Sequence, residues 1–460
     1  MEVEQYDVVI AGAGLSGLSV AHFLKRIRPE LKVTILEKAS RPGGAIQSMH
    51  QQGFLAEWGA HGFLDNVPES RELLENLGLD QEALKAPLKQ FRRYISLQGR
   101  LVPLPQSPGQ VVAGKFMPFM GKLRILADLW KKPRPEEQTV AQWASYRFGS
   151  AVLPLVDAAV TGTYSGDMEK LSIDAVMPGV RQLELDSGSV LRGVLKRAKQ
   201  SPPSKNESRI PSMVSFKQGM ERLVAVLAEN SPVVLNRGVK TILKEASGWT
   251  VETETGAVRA GQVVVALPVN QALSLLSPLN ALPVTSIPEA KLINVVLGFG
   301  PEAKVPFGFG YLAPRRENRF ALGTLFSTHM FPERAAPGMV LLEALVGGKL
   351  YPEKLELTDQ ALIEKTYNDI RRLIDLPDPP CFAHVLRPET GIPQLELGHL
   401  RLQRWREEME KEMPDLYLCG FGWEGIGMND MIKKAKSVAE ALTAGRARLS
   451  EQADVKGVYF

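Results

Sequence analysis

The stretch from residue 6 to residue 44 constrains the fold of this chain more than any other. A short apolar run leads into three glycines, Gly12, Gly14 and Gly17. A helical pattern follows, and then a second apolar run that ends on Glu37. This order of strand, glycine turn, helix and strand, with an acidic residue about 20 positions after the last glycine, is typical of a dinucleotide-binding unit.

Each glycine of this unit has a physical role. Gly12 permits a tight turn, Gly14 lets the backbone approach a pyrophosphate, and Gly17 lets the helix pack closely on the strand. The helix N-terminus offers free N–H groups and the positive end of its dipole to phosphates. The alternative is a glycine-rich turn that only packs tightly. The predicted dinucleotide contacts are Gly12, Gly14, Leu15, Ser16, Gly17, Glu37 and Lys38.

A basic residue with paired glycines follows the second apolar run. The segment from Arg41 to Gly44 reads RPGG, which in isolation would be an ordinary loop turn. Directly after Glu37, it resembles the extended fingerprint of the amine-oxidase-like flavoproteins, in which the arginine and glycines lie along the dinucleotide. The segment therefore favours FAD over NAD, with Arg41, Gly43 and Gly44 as cofactor contacts.

The composition limits the class of protein. A chain of 460 residues, 44% hydrophobic and 23% charged, is long enough for two or three domains with sizeable cores. The net charge of +4 does not indicate a nucleic-acid partner. The two cysteines, Cys381 and Cys419, lack metal-ligand spacing, so we expect no metal site, no disulfide framework and a reducing compartment.

The sequence pattern predicts no targeting segment. No charged region followed by an apolar stretch precedes the first strand, and no run of about 18 apolar residues occurs. We therefore expect neither a signal peptide nor a spanning helix. The predicted location is the cytoplasm or, through peripheral contact, the cytoplasmic face of a membrane.

Hairpin strands and a second glycine turn are predicted after the first unit. Residues 52–63 indicate a short strand that enters the turn Gly59-Ala60-His61-Gly62. Asn66 is the predicted N-cap of the next helix. Residues 91–104 alternate like a β-hairpin that turns at Gln98-Gly99. His61 could act as a base, although a loop histidine is more often structural or solvated.

Residues 105–129 predict a helical region with an apolar face and interspersed basic residues. Such a face could lie on an anionic membrane surface, but a pair of core helices with one solvated side gives the same pattern. Pattern alone favours the core helices. Helical segments continue to residue 199, and the polar, proline-rich residues 200–212 predict a surface loop or linker.

The second half of the chain predicts a return to the first sheet and then a second sheet. Residues 233–267 contain short strands, and the last, Val263–Leu267, is expected to be a buried parallel strand beside the first. From residue 290, long alternating strands predict a second, mostly antiparallel sheet with one helix at 359–374. By its position, this sheet would belong to a substrate domain.

A strand, a glycine-rich turn and a helix recur at residues 416–444. We interpret the start of this helix as a second N-terminus directed at the same cofactor, where its dipole could stabilise a reduced flavin. An independent turn of the same type is the alternative. The further predicted cofactor contacts are Gly59, Ala60, His61, Gly62, Val239, Gly425, Ile426, Gly427, Met428 and Asn429.

Several longer segments are more specific than a dinucleotide fingerprint. In chain order they are GAGLSGL (12–18), RPGGAIQS (41–48), RRYISLQGRLVPLP (92–105), VTGTYSGDMEKLSI (160–173), GSVLRGVLKRAK (188–199), GFGYLAP (308–314), LGTLFSTHMFPER (322–334), ALVGG (344–348), GIPQLELGHL (391–400) and GWEGIGMND (422–430). Together they resemble one family nearly from end to end, the FAD-dependent protoporphyrinogen oxidases of the oxygen-using type.

The resemblance implies an α/β fold in three parts. A Rossmann-like FAD domain would be assembled from the discontinuous segments 1–87, 213–285 and 400–446. A helical, membrane-associated domain would cover 88–212. A substrate-binding domain with a mixed antiparallel sheet would cover 286–399. Non-covalent FAD, a homodimer and peripheral membrane contact are implied as well.

The resemblance also implies a reaction. Members oxidise protoporphyrinogen IX to protoporphyrin IX in haem or chlorophyll synthesis, with O₂ as acceptor and H₂O₂ as product. The implied step is hydride transfer from a ring carbon to flavin N5, repeated after each reoxidation. The protein would position the substrate, so no catalytic side chain is predicted. The implied partners are the porphyrinogen, O₂ and the next enzyme of the haem pathway.

Five residues match positions that line the substrate site in that family. Arg93 would pair with a propionate, because a guanidinium suits bidentate carboxylate binding. Leu312 and Leu325 would sandwich the tetrapyrrole, and Gly162 would lie near the reacting edge of the ring. Leu345 stands where members often carry an aromatic residue or methionine. Without the resemblance, the leucines would be assigned to ordinary sheet core and the arginine to the surface.

The chain departs from the family pattern in two places. The turn Gly59-Ala60-His61-Gly62 stands where many members have Gly-Pro-Asn or Asp-Ser, and Leu395 replaces a common tyrosine. These differences concern the fine flavin contacts rather than the cofactor itself.

Other functions remain open at this point. A coproporphyrinogen III oxidase of the related bacterial type would share the fold and the cofactor, although residues 92–94 and 323–326 look closer to the protoporphyrinogen enzymes. An amine oxidase or a carotenoid desaturase is a more distant alternative, and Cys419 does not lie in a covalent-flavin motif. A non-catalytic flavin-binding or membrane-scaffold protein belongs to a different class, and the intact cofactor and substrate motifs argue against it.

Overall fold

The computed structural model describes residues 3–106, 110, 113, 114, 116–200 and 211–444. The strands are β1 (Glu4–Ala11), β2 (Val33–Leu36), β3 (Ser48–Gln51), β4 (Phe54–Glu57), β5 (Phe63–Leu64), β6 (Ala83–Pro87), β7 (Arg93–Leu97), β8 (Arg100–Pro103), β9 (Ser212–Phe216), β10 (Val233–Val234), β11 (Val239–Glu245), β12 (Gly248–Thr253), β13 (Gly256–Ala266), β14 (Glu289–Ala290), β15 (Leu292–Phe299), β16 (Gly310–Leu312), β17 (Gly323–Phe326), β18 (Val340–Gly347), β19 (Phe382–Leu386), β20 (Ile392–Pro393) and β21 (Leu416–Cys419). The α-helices are α1 (Leu15–Ile27), α2 (Pro68–Leu77), α3 (Phe119–Ile125), α4 (Val140–Phe148), α5 (Leu153–Tyr164), α6 (Ile173–Val176), α7 (Pro178–Ser187), α8 (Val190–Gln200), α9 (Glu221–Glu229), α10 (Val269–Leu276), α11 (Ser327–Met330), α12 (Asp359–Ile370), α13 (His399–Glu412) and α14 (Met428–Ala444).

The first sheet is built around β1. Its strand order is β10-β2-β1-β13-β12-β11, and β21 pairs with the C-terminal half of β13. β1 runs parallel to both β2 and β13, with Val9 beside Thr34 on one side and Val263 on the other. The apolar run of β13 therefore returns beside the first strand, which confirms that prediction.

Helices α1 and α14 pack against each other. α1 follows β1, and α14 follows β21, while both of these strands run parallel to β13. Because the carboxyl ends of parallel strands lie at one edge of a sheet, both helices begin at the same edge. Their apolar faces meet in one core that includes Leu18, Leu24, Ile432 and Val438, all buried.

The second sheet has the order β19-β15-β18-β17-β16-β7-β8. Its pairs are antiparallel except for β16 with β7, which confirms the predicted mostly antiparallel sheet. β7 and β8 form the predicted hairpin, in which Gln98 and Gly99 have φ values of 52° and 70°. Two successive positive φ angles match the right-handed twist of the flanking strands.

The β7–β8 hairpin extends this sheet from a distant part of the chain. It lies within the range 88–212 that was predicted to be a helical unit, yet its first strand pairs with β16. The helices α3 to α8 do fall within that range. The division into three domains stays a prediction, and the hairpin shows that the segment 88–212 supplies part of the second sheet.

The two faces of the second sheet have different neighbours. One face packs under α12 in a buried core that includes Val295, Phe299, Leu342 and Ile370. On the other face, buried Val296 packs with Phe54 of β4. The second face is therefore directed toward the segments that follow the first glycine unit, where the predicted cofactor and substrate residues would meet.

The helices α3 to α8, called the helical part below, are held together by a buried ionic centre. The Arg147 side chain is fully buried, with Asp128 at 3.0 Å from its guanidinium and Glu184 on its other side. Trp143 Nε1–H also donates to Glu184, at 2.6 Å. Within the described ranges, no helix combines the length and apolar character needed to cross a bilayer.

Parts of two predicted segments lie outside the described residues. In the predicted helical region 105–129 these are residues 107–109, 111, 112 and 115. In the predicted loop 200–212 they are residues 201–210.

Candidate functional site

The first glycine turn has the close packing that a dinucleotide unit needs. Gly12 has a φ of 101°, in the region that favours glycine, and a Cβ there would lie 2.8 Å from Leu267 Cδ2. A Cβ on Gly17 would lie 2.0 Å from the carbonyl oxygen of Gly12. Only glycine at these positions lets α1 approach β1 so closely.

The start of α1 has room and unused hydrogen-bonding groups for a ligand. A Cβ on Gly14 would meet no atom within 4 Å, so the space beside this backbone is open. The Oγ of Ser16 is buried and has no hydrogen-bond partner in the part of the chain that the structure describes. No side chain caps the first turn of α1. A pyrophosphate would satisfy these donors, so the residues present fit FAD.

Glu37 is held by two backbone N–H groups. Its Oε2 accepts from Ala13 at 2.8 Å, and its Oε1 accepts from Ala39 at 2.9 Å. The side chain is 9% exposed. The carboxylate is therefore fixed beside the glycine turn, and each oxygen keeps a lone pair for a ribose hydroxyl.

The RPGG segment is docked onto the first glycine turn. Arg41 donates to the carbonyl oxygens of Pro42 and Gly44, at 3.1 and 2.8 Å. The N–H of Gly43 donates to the carbonyl oxygen of Ala13 at 2.8 Å. Arg41 thus shapes this turn by binding its carbonyl groups, and the two glycine segments lie together.

The segment before β11 runs beside the end of β2. The N–H of Arg237 donates to the carbonyl oxygen of Glu37 at 2.8 Å. A Cβ on Gly238 would lie 3.0 Å from Lys38 Cβ. Val239 follows directly, so the fold brings this predicted contact next to Glu37 and Lys38.

The C-terminal glycine turn is tied to an early part of the chain. Asn429 Nδ2 donates to the carbonyl oxygen of Leu64 at 2.9 Å, and its Oδ1 accepts from Ser70 at 2.7 Å. The Asn429 amide is thus used within the protein, which leaves its backbone for a cofactor. Around it, Gly425 and Met428 are buried, while Ile426 and Gly427 are half-buried.

The second glycine turn, residues 59–62, joins the first unit to the second sheet. A Cβ on Gly59 would lie 2.9 Å from the carbonyl oxygen of Ala45, which packs this turn against the RPGG segment. Its other end reaches β18, because His61 Nε2 lies 3.0 Å from Glu343 Oε2. Ala60 and Gly62 are half-buried between these contacts.

Glu343 is a buried carboxylate with several donors. Besides His61, its Oε2 accepts from Asn294 Nδ2 at 2.8 Å, and its Oε1 accepts from Ser327 Oγ at 2.6 Å. Burial by itself would raise the pKa of this carboxyl. The nearby His61, Ser327 and Arg334 outweigh burial and lower the pKa to about 2.

The pKa of His61 is shifted in the opposite direction, upward. Burial by itself would lower the pKa of the imidazole, and Arg334 acts the same way. The carboxylates of Glu343 and Glu57 outweigh both and raise the pKa above its ordinary value. The imidazole therefore binds a proton more readily here than in water.

A second ion pair lies next to this one. Arg334 pairs with Glu57 and also donates to Ser215 Oγ at 2.6 Å. Ser48 Oγ donates to the other oxygen of Glu57 at 2.7 Å. These bonds link β3 and β4 to the segment after α11, so they fix the position of the second glycine turn over the sheet.

Four of the five predicted substrate residues, Arg93, Leu312, Leu325 and Leu345, lie on the face of the second sheet that carries Glu343. Residues paired across neighbouring strands share one face, and so do residues two apart within a strand. The register gives two adjacent rows on this face. The first row is Arg93, Gly310, Leu325 and Glu343, and the second is Ile95, Leu312, Gly323, Leu345 and Asn294.

Two glycines lie among larger side chains on this face, and we call the apolar surface around them the groove. Gly310 lies between Arg93 and Leu325 in one row, and Gly323 lies between two leucines in the other. Leu312, Leu325 and Leu345 are each half-buried, although their strands are otherwise mostly fully buried. Leu312 Cδ2 leans over Gly323, where an added Cβ would lie 2.9 Å from it, so the surface beside both glycines is apolar and suits a flat apolar ligand.

Gly162 of α5 faces this groove from the helical part. A Cβ on Gly162 would lie 2.8 Å from both Cδ1 and Cδ2 of Leu312. Arg93 stands at the end of the first row and is 9% exposed, so a nearly buried cation flanks the leucines. The structure thus places a cation, three apolar side chains and one close backbone around the same space.

Sequence reasoning missed the polar residues beneath the second glycine turn. Asn294, Ser327 and Glu343 were not predicted as functional, because each lies in or next to an apolar strand. A carboxylate in the run VLLEALVG was the available signal, since a buried charge needs partners. His61 was considered but not connected to a carboxylate 282 positions away.

Comparisons with known proteins agree with this architecture. The family of flavin containing amine oxidoreductases matches residues 15–443. The chain is 27% identical to a Bacillus subtilis coproporphyrinogen III oxidase, with 95% of this chain and 98% of the relative covered. It is 29% identical to a chloroplastic protoporphyrinogen oxidase from Nicotiana tabacum, with 96% and 86% covered.

A solved structure shares the fold. It is a protein from Exiguobacterium sp. 255-15, provisionally named a protoporphyrinogen oxidase, with a TM-score of 0.79 and 22% identity over 96% of this chain and 99% of the other. The family match extends from the first glycine unit to the end of the last helix. FAD is accordingly the cofactor, and this oxidoreductase belongs to the family of flavin-containing amine oxidoreductases.

Proposed function

We propose that this enzyme oxidises protoporphyrinogen IX to protoporphyrin IX, with O₂ as acceptor and H₂O₂ as product. The observation that carries the proposal is the groove on the second sheet, where Leu312, Leu325 and Leu345 are only half-buried in otherwise mostly buried strands. A reduced tetrapyrrole has an apolar macrocycle with charged propionates at its rim. The groove and the adjacent Arg93 match both parts. The relatives named protoporphyrinogen oxidase support the same substrate.

In this proposal the protein positions the substrate. Leu312, Leu325 and Leu345 hold the macrocycle, and Arg93 binds a propionate through charge-assisted hydrogen bonds. Gly162 keeps α5 close to Leu312, so that the macrocycle cannot shift toward the helix. Bound FAD supplies the hydride acceptor for the reaction.

A fluorescence assay tests the proposal. Purified, FAD-loaded protein is incubated with protoporphyrinogen IX and O₂, and porphyrin fluorescence and peroxide are followed together. We expect both to rise above the autoxidation control. Fluorescence no faster than that control would rule out the function, and fluorescence without peroxide would rule out O₂ as the acceptor.

Coproporphyrinogen III is a second candidate substrate, because a relative with that name aligns over nearly its whole length. It carries more carboxylates than protoporphyrinogen IX and would need more cations at the rim of the groove. A competition assay with equal amounts of both porphyrinogens separates the two activities. Faster formation of coproporphyrin would assign the enzyme to the second activity.

We further propose that the helical part contacts an anionic membrane surface. Phe119, Met120 and Trp130 are 64%, 72% and 76% exposed, and Leu123 and Leu126 lie between them and are also exposed. Arg192 of α8 donates to the carbonyl oxygen of Leu129, so α8 lies beside this segment. α8 adds exposed apolar and basic side chains, namely Val194, Leu195, Lys196, Arg197 and Lys199. Large apolar side chains with basic neighbours are typical of interfacial segments.

Vesicle sedimentation tests this contact. We expect binding to vesicles that contain phosphatidylglycerol and weaker binding to neutral vesicles. The double variant Phe119→Ser, Trp130→Ser should lose the binding, while Leu243→Ser, an exposed leucine on the first sheet, should keep it. Equal sedimentation of both variants would contradict the proposal.

Dimerisation and contact with the next enzyme of the haem pathway stay predictions from the family resemblance.

A further inference from the structure

His61 and Glu343 lie where the second glycine turn meets the proposed substrate groove. Glu343 is directly across from Leu325 in the β17–β18 register, and Leu345 follows on the same face. Because His61 bonds to Glu343, its ring lies over this face beside the groove. The roles proposed above make no use of the pair.

The pair has the arrangement of a histidine base that is oriented by a carboxylate. Nε2 of His61 is taken by Glu343, so a neutral ring that donates Nε2–H carries its lone pair on Nδ1. No polar group of the described residues pairs with Nδ1, and the side chain keeps 17% of its surface exposed. Asn294 and Ser327 fix the carboxylate, so Glu343 holds the ring in one orientation.

We propose that His61 is the proton acceptor of the oxidation and that Glu343 is the positioning residue that orients it. The inference rests on the proposed function, because the first oxidation of a porphyrinogen removes a hydride from a bridging carbon and a proton from a pyrrole N–H. The N–H bond breaks, its electron pair enters the new C=N bond, and the proton moves to Nδ1. The hydride goes to the flavin of the enzyme, and the imidazolium later releases its proton to water.

The charges around the ring favour this transfer. Burial opposes a charged imidazole, and so does Arg334, which follows α11. Glu343 on β18 and Glu57 on β4 outweigh them, so the pKa of His61 is raised. A stronger base accepts a proton more readily, and the neighbouring carboxylate stabilises the imidazolium that forms.

Kinetics of three variants against pH test the proposal. His61→Gln should lower kcat roughly a hundredfold, with little change in KM, and should remove the acid limb of the kcat/KM profile. Glu343→Gln should move that limb to lower pH. His50→Gln, at the exposed end of β3, should change neither. His61→Asn serves as a second variant, and flavin absorbance and Tm show which proteins are folded and loaded.

NMR of ring-labelled histidine gives a readout that does not need turnover. The chain has six histidines, and the signal lost in His61→Gln is that of His61. In the wild-type protein we expect the Nε2–H tautomer and a titration midpoint above the ordinary value of histidine. In Glu343→Gln the midpoint should be lower than in wild type. An Nδ1–H tautomer, or a wild-type pH profile in folded His61→Gln, overturns the proposal. Wild-type protein that oxidises no porphyrinogen defeats the proposed function, while the tautomer still decides the geometry of the pair.

Discussion

Gly162 of α5 lies directly against Leu312 of β16. An added Cβ on Gly162 would be 2.8 Å from each terminal methyl carbon of that leucine, closer than real contacts allow. The helical part and the second sheet therefore set the width of the groove together.

The substitution Gly162→Ala should disturb the groove without unfolding the protein. The new methyl group must push Leu312 aside, and a shift of about 1 Å in a bound substrate can cost about a hundredfold in rate. We expect kcat/KM to fall by about tenfold to a hundredfold, with an unchanged flavin spectrum. Adding Leu312→Val, which shortens the opposing side chain, should restore part of the loss. No change in kcat/KM would mean that the substrate does not occupy this space.

Arg93→Ala should raise KM much more than it changes the flavin spectrum. Loss of a charge-assisted hydrogen bond costs about 2 kcal/mol, which is roughly thirtyfold in affinity. Arg93→Lys should recover only part of it, because an ammonium group cannot bind a carboxylate in bidentate fashion. Arg92→Ala changes the exposed neighbour and is the matched control. An unchanged KM in Arg93→Ala would remove the propionate role.

Ser16→Ala should weaken FAD binding while leaving the fold intact. The buried Oγ of Ser16 lies in the first turn of α1, and a hydrogen bond to a phosphate would contribute about 1.5 kcal/mol, or roughly tenfold in Kd. Ser19→Ala is the matched control, because Ser19 Oγ is also buried without a partner among the described residues but lies one turn further on. Titration of each apoprotein with FAD measures the Kd of both variants. Equal affinities in the two variants would place the phosphates elsewhere.

Glu343→Gln should destabilise the protein in a pH-dependent way. The folded-state pKa of about 2 lies below the ordinary value of 4.5, so the ionised carboxylate stabilises the fold above pH 4.5. That contribution is lost as pH falls from about 4.5 toward 2. We expect the difference in unfolding free energy between wild type and Glu343→Gln to be on the order of 3 kcal/mol at neutral pH.

Urea unfolding at pH 7 and near pH 3 checks this expectation. The difference in unfolding free energy between wild type and Glu343→Gln should be smaller near pH 3 than at pH 7. Glu353→Gln, which changes an exposed glutamate in the segment before α12, should show no such trend. A difference that stays constant with pH would assign the effect of Glu343→Gln to packing rather than charge.

Local features of the fold were predictable from the sequence. The glycine unit, the β7–β8 hairpin and β15 all depend on short-range patterns of glycine spacing and alternation, and each was found where expected. The helix cap predicted at Asn66 is wrong, because α2 begins at Pro68 and Val67 takes the cap position. Asn66 instead accepts a hydrogen bond from Asn429, at 3.2 Å.

Long-range pairing was not predictable in the same way. Nothing near Arg93 indicates that its strand will run parallel to β16, more than two hundred residues later. Likewise, the link between His61 and Glu343 appears only once two sheets meet. The family resemblance identified the groove residues, but only the strand register explains why the residues on the sheet share one face and why glycines lie between them.

The pairing of β13 with both β1 and β21 has a consequence for how the enzyme is made. Ribosomes release the glycine turn of β1 first, whereas β21 and α14 emerge more than four hundred residues later. Until then the first sheet lacks a strand, and α1 lacks the helix that buries its apolar face. A nascent chain that stops before residue 416 therefore has its phosphate-binding turn without the core that supports it, so flavin capture should await the last tenth of synthesis.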